Sequence, residues 1–91
     1  MEAKTGEDEL KVEVRLFATL REYLPPGSDG ASAQIDMPSG SSIADVLKKL
    51  GIPSGAAFLT LVDDRHEPSK KRKLHEGSVL SVWPPIAGGV P

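Results

Sequence analysis

The chain contains no cysteine. That excludes disulfides, thiolate metal sites and a cysteine nucleophile, so any sulfur chemistry would run through the carboxyl end of the chain or through a partner's sulfur. No apolar run approaches the roughly 18 residues of a membrane-spanning helix. The opening stretch Met1-Glu2-Ala3-Lys4-Thr5-Gly6-Glu7-Asp8-Glu9 has no signal-peptide core. These absences lead to the expectation of a cytoplasmic protein with no membrane partner. Neither sign of charge dominates: the formal net charge is −2, which gives no general field for nucleic acid, and no nucleic-acid partner is expected.

Polar groups arranged for catalysis are equally scarce. His66 and His75 are the only histidines, and neither has metal-ligand spacing with a second strong ligand, so surface or turn roles are expected and no bound metal or cofactor. Asp63-Asp64 reads as a turn and not as an acid-base pair. The serines lack a nucleophile-elbow motif, and Gly6, Gly27 and Gly30 do not form a phosphate loop. With 91 residues, 38% of them hydrophobic, the chain is one small domain with a modest core. It is not expected to be an enzyme.

Leu10, Val12, Val14 and Leu16 alternate with Lys11, Glu13 and Arg15, which predicts a half-buried strand over 10–17. A short helical turn is predicted around Ala18 to Tyr23, ended by Pro25-Pro26-Gly27. Ala33, Ile35 and Met37 alternate likewise and predict a second strand, returning antiparallel. Ser42 with Asp45 three residues later sets a helix N-terminus, and Ile43, Val46, Leu47 and Leu50 fall at i, i+3, i+4 and i+7. Gly51 and Pro53 stop that helix, predicted over 43–50. Phe58–Val62 reads as a third strand, turned by Asp63-Asp64-Arg65. Ser78–Trp83 reads as the last, with apolar residues in both registers, as in a central strand. Lys70-Lys71-Arg72-Lys73 is a basic cluster, read either as a solvated loop or as a partner-docking patch. The expected organisation is a mobile tail over 1–9, a folded domain over 10–83 and an extended arm over 84–91.

That arm, Pro84-Pro85-Ile86-Ala87-Gly88-Gly89-Val90-Pro91, is the most informative segment. Two prolines end strand pairing at Trp83 and send the chain out extended. At roughly 3.3 Å per residue, six residues reach about 20 Å, enough to enter another protein's active site. Gly88 and Gly89, without Cβ atoms, let a narrow channel close on bare backbone. Ile86 would be the side-chain anchor.

The segment Trp83 to Gly89 resembles the ending of the MoaD/ThiS family of ubiquitin-like sulfur carriers. Val14–Glu22 is similar to the first strand and turn of its MoaD branch, Ser42–Leu47 to its helix start, and Leu74–Val79 to the loop before its last strand. The resemblance covers about residues 10–89. It implies an α+β fold of β-grasp (ubiquitin-like) type, in ββαββ order, with a mixed sheet and one main helix on one face. It implies a carrier with no bound cofactor. A ubiquitin-activating-type enzyme would use ATP to adenylate the Gly89 carboxylate, and sulfide would displace AMP to leave a thiocarboxylate. That sulfur would be delivered to the large subunit of molybdopterin synthase or to another acceptor enzyme. Phe58, Leu59, Trp83, Pro84, Pro85, Ile86 and Ala87 would bind these partners, although Trp83 is open to a second reading as a rim residue of the core.

Family members usually finish at the second glycine, whereas Val90-Pro91 follows here. The expectation is therefore a processing cut between Gly89 and Val90 by a peptidase. Two other roles remain open: a ubiquitin-like modifier joined to lysines through Gly89, and an interaction module without chemistry. Within the carrier role, the acceptor could also be thiazole, a thio-amino acid or tRNA.

Overall fold

In the computed structural model, which describes residues 9–26, 28 and 30–85, the alternation around Val12, Val14 and Leu16 becomes β1 (Glu9–Leu16). A 3-10 helix over Ala18–Tyr23 follows, burying Leu20. β2 (Ser32–Pro38) returns antiparallel to β1, with Val12 opposite Ile35 and Leu10 opposite Met37. After α1 (Ile43–Leu50) and a 3-10 turn over Ser54–Ala56 come β3 (Leu59–Val62), β4 (Arg65–His66) and β5 (Val79–Trp83). The strands form one sheet in the order β2-β1-β5-β3-β4. β5 runs parallel to β1 and antiparallel to β3. This is the β-grasp arrangement, and β5 holds the central place that its two apolar registers predicted.

The core lies between one sheet face and α1. Val12, Val14 and Leu16 of β1, Leu80 and Val82 of β5, and Ile43 and Val46 of α1 are all fully buried. At about 25 cal/mol per Å² of apolar surface removed from water, this burial is the main favourable term of folding. Thr60, buried in β3, is satisfied by donating its hydroxyl to the Glu67 carbonyl at 2.6 Å.

The helix ends as its sequence predicts. The Ser42 hydroxyl accepts the Asp45 N–H, and the Asp45 carboxylate accepts the Ser42 N–H at 2.9 Å, a reciprocal capping box. Gly51 takes φ +81 at the other end, a left-handed cap that suits a residue without Cβ. Two further N–H groups of the first turn find loop carbonyls: Ile43 donates to Arg72 at 3.0 Å and Ala44 to Lys70 at 2.9 Å.

Strand limits shift by single residues: β1 covers 9–16 where 10–17 was expected, and β3 and β5 begin at Leu59 and Val79. A larger difference is β4. The turn was expected to run through Arg65, but Asp63 and Asp64 alone make it, with φ +53 and +70. Two central residues of positive φ match the twist of a tight hairpin, which leaves Arg65 free to pair with Val62 and His66 with Leu61.

Among the described residues, two carboxyls are held below their ordinary range by the fold. Hydrogen bonds from Ser42, then the nearby Lys48 and Lys73, hold Asp45 below its ordinary range. The Ser69 N–H and the Arg72 guanidinium do the same for Glu67. Both pKa values are depressed in the folded state, so their contribution to stability is fully present above the unfolded pKa, near 4, and is lost as pH falls through the folded values. Urea midpoints measured down the acid limb should fall less steeply in Asp45→Asn and Glu67→Gln than in the parent. At neutral pH, Ser42→Ala should cost about 1 kcal/mol in the same measurement.

Candidate functional site

Side chains opposite one another across a sheet share a face, so the register sorts the side that α1 does not cover. Glu13 stands opposite Val79, and Arg15 opposite Ser81. Leu61 is opposite Ser81 and Leu59 opposite Trp83. Toward β2 this face is charged: Lys11 reaches Asp36 at 3.1 Å and Arg15 reaches Glu13 at 2.7 Å. Those contacts raise the pKa of Lys11 through Asp36 and of Arg15 through Glu13. Toward β3 the face is mainly apolar, made by Val79, Trp83, Leu59 and Leu61 around a buried Ser81.

Trp83 is the last residue of β5, and its ring is fixed. It stacks on Phe17 with centroids 4.2 Å apart and planes 2° from parallel. Phe17 is held in turn because its N–H donates to the Val82 carbonyl at 3.2 Å, continuing the β1–β5 ladder by one step. Directly after it, Ala18 takes φ +54, a left-handed conformation that costs a residue with Cβ roughly 1–2 kcal/mol, and the chain turns into the 3-10 helix. On the other flank, the Phe58 N–H donates to the Trp83 carbonyl at 2.9 Å. The Phe58 side chain itself is 71% exposed, alone among the large hydrophobics of the described residues.

The structure thus brings Phe58, Leu59 and Trp83 together at one end of the sheet, with Pro84 half-buried and Pro85 exposed just beyond. Ile86, Ala87, Gly88, Gly89, Val90 and Pro91 lie outside the described residues. Trp83 is half-buried, stacked on Phe17, and lies on the uncovered face. Phe17 was not singled out from the sequence, although the strand alternation carried one residue past Leu16 puts it on the Trp83 side.

The remaining polar candidates serve the backbone. Asp63 donates its N–H to the Val79 carbonyl at 2.8 Å and accepts the Val79 N–H at 3.0 Å, so the turn also fixes the start of β5. His75 Nε2 lies 3.4 Å from the Asp63 carboxylate. His66 is exposed in β4. Among the described residues no cluster of three His, Asp or Glu is placed to hold a metal.

The profile of the ThiS family matches residues 14–89. No curated protein matches the sequence. Among solved structures, the Haloferax volcanii HVO 2177 protein is 25% identical, with a TM-score of 0.71, over 97% of this chain and 94% of that one. A putative molybdopterin converting factor, subunit 1, from Pyrococcus furiosus is 22% identical with a TM-score of 0.64, over 85% and 99%. The H. volcanii small archaeal modifier protein 1 is 18% identical, also with a TM-score of 0.64, over 85% and 99%. At these identities the last two likenesses show the fold.

Removing the Phe17 ring should loosen Trp83 without opening the core behind it. Phe17→Ala should shift tryptophan emission to longer wavelength and cost about 1–2 kcal/mol in urea unfolding, the stack plus part of the buried ring area. Phe17→Tyr should restore both.

Proposed function

Because the chain belongs to the ThiS family, we propose that it is a ubiquitin-like carrier activated at Gly89. The observation that supports this best is that the family profile extends through Gly89, beyond a last strand that ends at a stacked Trp83 and is followed by Pro84 and Pro85. In this reading water first cleaves the Gly89–Val90 bond in a peptidase, freeing the Gly89 carboxylate. An adenylating partner then lets that carboxylate attack the α-phosphate of ATP, expelling pyrophosphate. A carboxylate is a poor electrophile and the acyl-adenylate a good one. Hydrosulfide, or a sulfide donor of the same oxidation level, displaces AMP to give the thiocarboxylate.

The chain performs none of these steps itself. It contributes an electrophilic end, an arm long enough to deliver it, and a surface that docks. The apolar half of the uncovered face, with Phe58 at its margin, is the natural seat for the adenylating and acceptor enzymes, since large exposed apolar side chains beside a reactive end mark interfaces.

Two destinations follow for the activated glycine. Sulfur donation toward molybdopterin is supported by the likeness to the P. furiosus converting-factor subunit. Transfer of the acyl group to a lysine, as a protein modifier, is supported by an equal likeness to the archaeal modifier protein. Molybdopterin is therefore not singled out over modification, nor over other sulfur acceptors.

Intact mass of the protein purified from its native organism separates these readings. Loss of Val-Pro with one oxygen exchanged for sulfur would support the sulfur carrier, and lysine adducts bearing the chain's terminal glycine would support the modifier. Full-length, unmodified protein under every growth condition would sink both. Gly89→Ala, made in a chain ending at residue 89, should fold normally and lose adenylation by about 100-fold or more, because a methyl group meets a channel shaped for bare backbone. Unchanged adenylation would remove the narrow-channel argument.

A further inference from the structure

The basic cluster sits where folding alone would not put it. The loop 67–78 crosses the start of α1, pinned there by the Lys70 and Arg72 carbonyls on the Ala44 and Ile43 N–H groups and by a bridge between Ser42 and Lys73. The start of a helix is the positive end of its dipole and favours acidic neighbours. Here the first turn keeps the acidic Asp45, and the loop lays four cations in sequence across it. Arg72 is paired with Glu67 at 2.7 Å, but Lys70, Lys71 and Lys73, and Lys48 on the helix, make no ion pair among the described residues. Local choices that oppose stability are where function is sought.

Beside the cluster lies a groove of about 480 Å³, lined by Ala44, Leu47, Lys48, Ile52, Gly55 and Lys70. Ala44, Leu47 and Lys48 form one stripe of the helix at i, i+3 and i+4. Leu47 and Ile52, 2% and 4% exposed, close the bottom of the groove, and the exposed Ala44 and Gly55 form its walls with the two lysines at the margin.

We propose that this groove and the lysines around it dock an acidic segment of a partner protein, an apolar side chain resting between Ala44 and Gly55 while carboxylates face Lys48 and Lys70. Charge complementarity selects that occupant: the chain as a whole is acidic at −2, yet this patch is positive. Asp45, beside the patch, is held below its ordinary range chiefly by hydrogen bonds from Ser42, and Lys48 and Lys73 add to the effect. The groove contains no aromatic ring on which a base could stack, which disfavours nucleic acid. The first-turn N–H groups are already taken by loop carbonyls, so recognition rests on the lysines and the groove between Ala44 and Gly55. Since α1 covers the sheet face opposite Trp83 and Leu59, an acidic partner held here leaves the apolar face free for an enzyme at the same time. The proposal is independent of what Gly89 carries.

The test uses the full chain and a fluorescein-labelled peptide of alternating Glu and Leu, read by anisotropy at low and physiological salt. Saturable binding that weakens with salt is expected. The Lys48→Glu/Lys70→Glu variant should bind about tenfold more weakly. Gly55→Leu, where a Cβ meets nothing within 4 Å, should fill the groove and weaken binding at least about fivefold while the melting temperature is kept. Absence of saturable binding, or equal binding by both variants, would overturn the proposal. So would tighter binding of a mixed-sequence single-stranded oligonucleotide, which would assign the patch to nucleic acid. A marked rise in peptide affinity in Glu7→Gln/Asp8→Asn would overturn it in favour of the chain's own acidic stretch.

Discussion

The parallel pairing of β1 with β5, from Glu13 opposite Val79 to Leu16 opposite Val82, is the contact from which the other elements take their positions. It joins segments near the two ends of the chain, so its formation closes nearly the whole sequence into a loop, an entropic cost that local structure cannot offset. Burial offsets it: Val14, Leu16, Leu80 and Val82 lie on these paired strands with no exposed surface. β2 then attaches to β1 as a hairpin, β3 attaches to β5, and α1 covers the valines and leucines that the pairing has set side by side.

Much of this was legible in the sequence because the signals are local. The helix 43–50 is bounded by side chains that act within one turn, Ser42 with Asp45 at one end and Gly51 at the other. The β1–β2 hairpin follows from alternation, and the central place of β5 from apolar residues on both of its faces. What the sequence did not disclose depends on partners far along the chain. β4 has two exposed residues and no apolar pattern, and it exists because the Asp63-Asp64 turn aligns the backbone, without the Asn-Gly or Asp-Gly pair that announces such turns. The Phe17–Trp83 stack joins the residue just past β1 to the last residue of β5 and needs the register of β1 against β5 to be known. Asp63 as the fastener of β5 is likewise a long-range contact behind a residue that reads correctly as a turn.

The candidate site shows the same division. The family resemblance pointed to Trp83 and its neighbours and, with them, to Phe58 and Leu59 as candidates. That the uncovered face is split, ion-paired toward β2 and apolar toward β3, emerges only from the strand order. The split matters for recognition. Lys11–Asp36 and Arg15–Glu13 are exposed pairs of little energetic weight, but they keep half of the face wet and limit the sticky area to the half beside Trp83. A small protein can thereby keep an apolar strip beside Trp83 without coating a whole side with apolar groups.

The central place of β5 also has a mechanical consequence. A pull applied at Pro85 along the strand axis would load the ladders to β1 and β3 together, in shear, with many hydrogen bonds resisting at once. An edge strand tugged sideways would instead unzip one bond at a time. Force applied to the chain just past Trp83 would therefore be borne by the whole sheet at once.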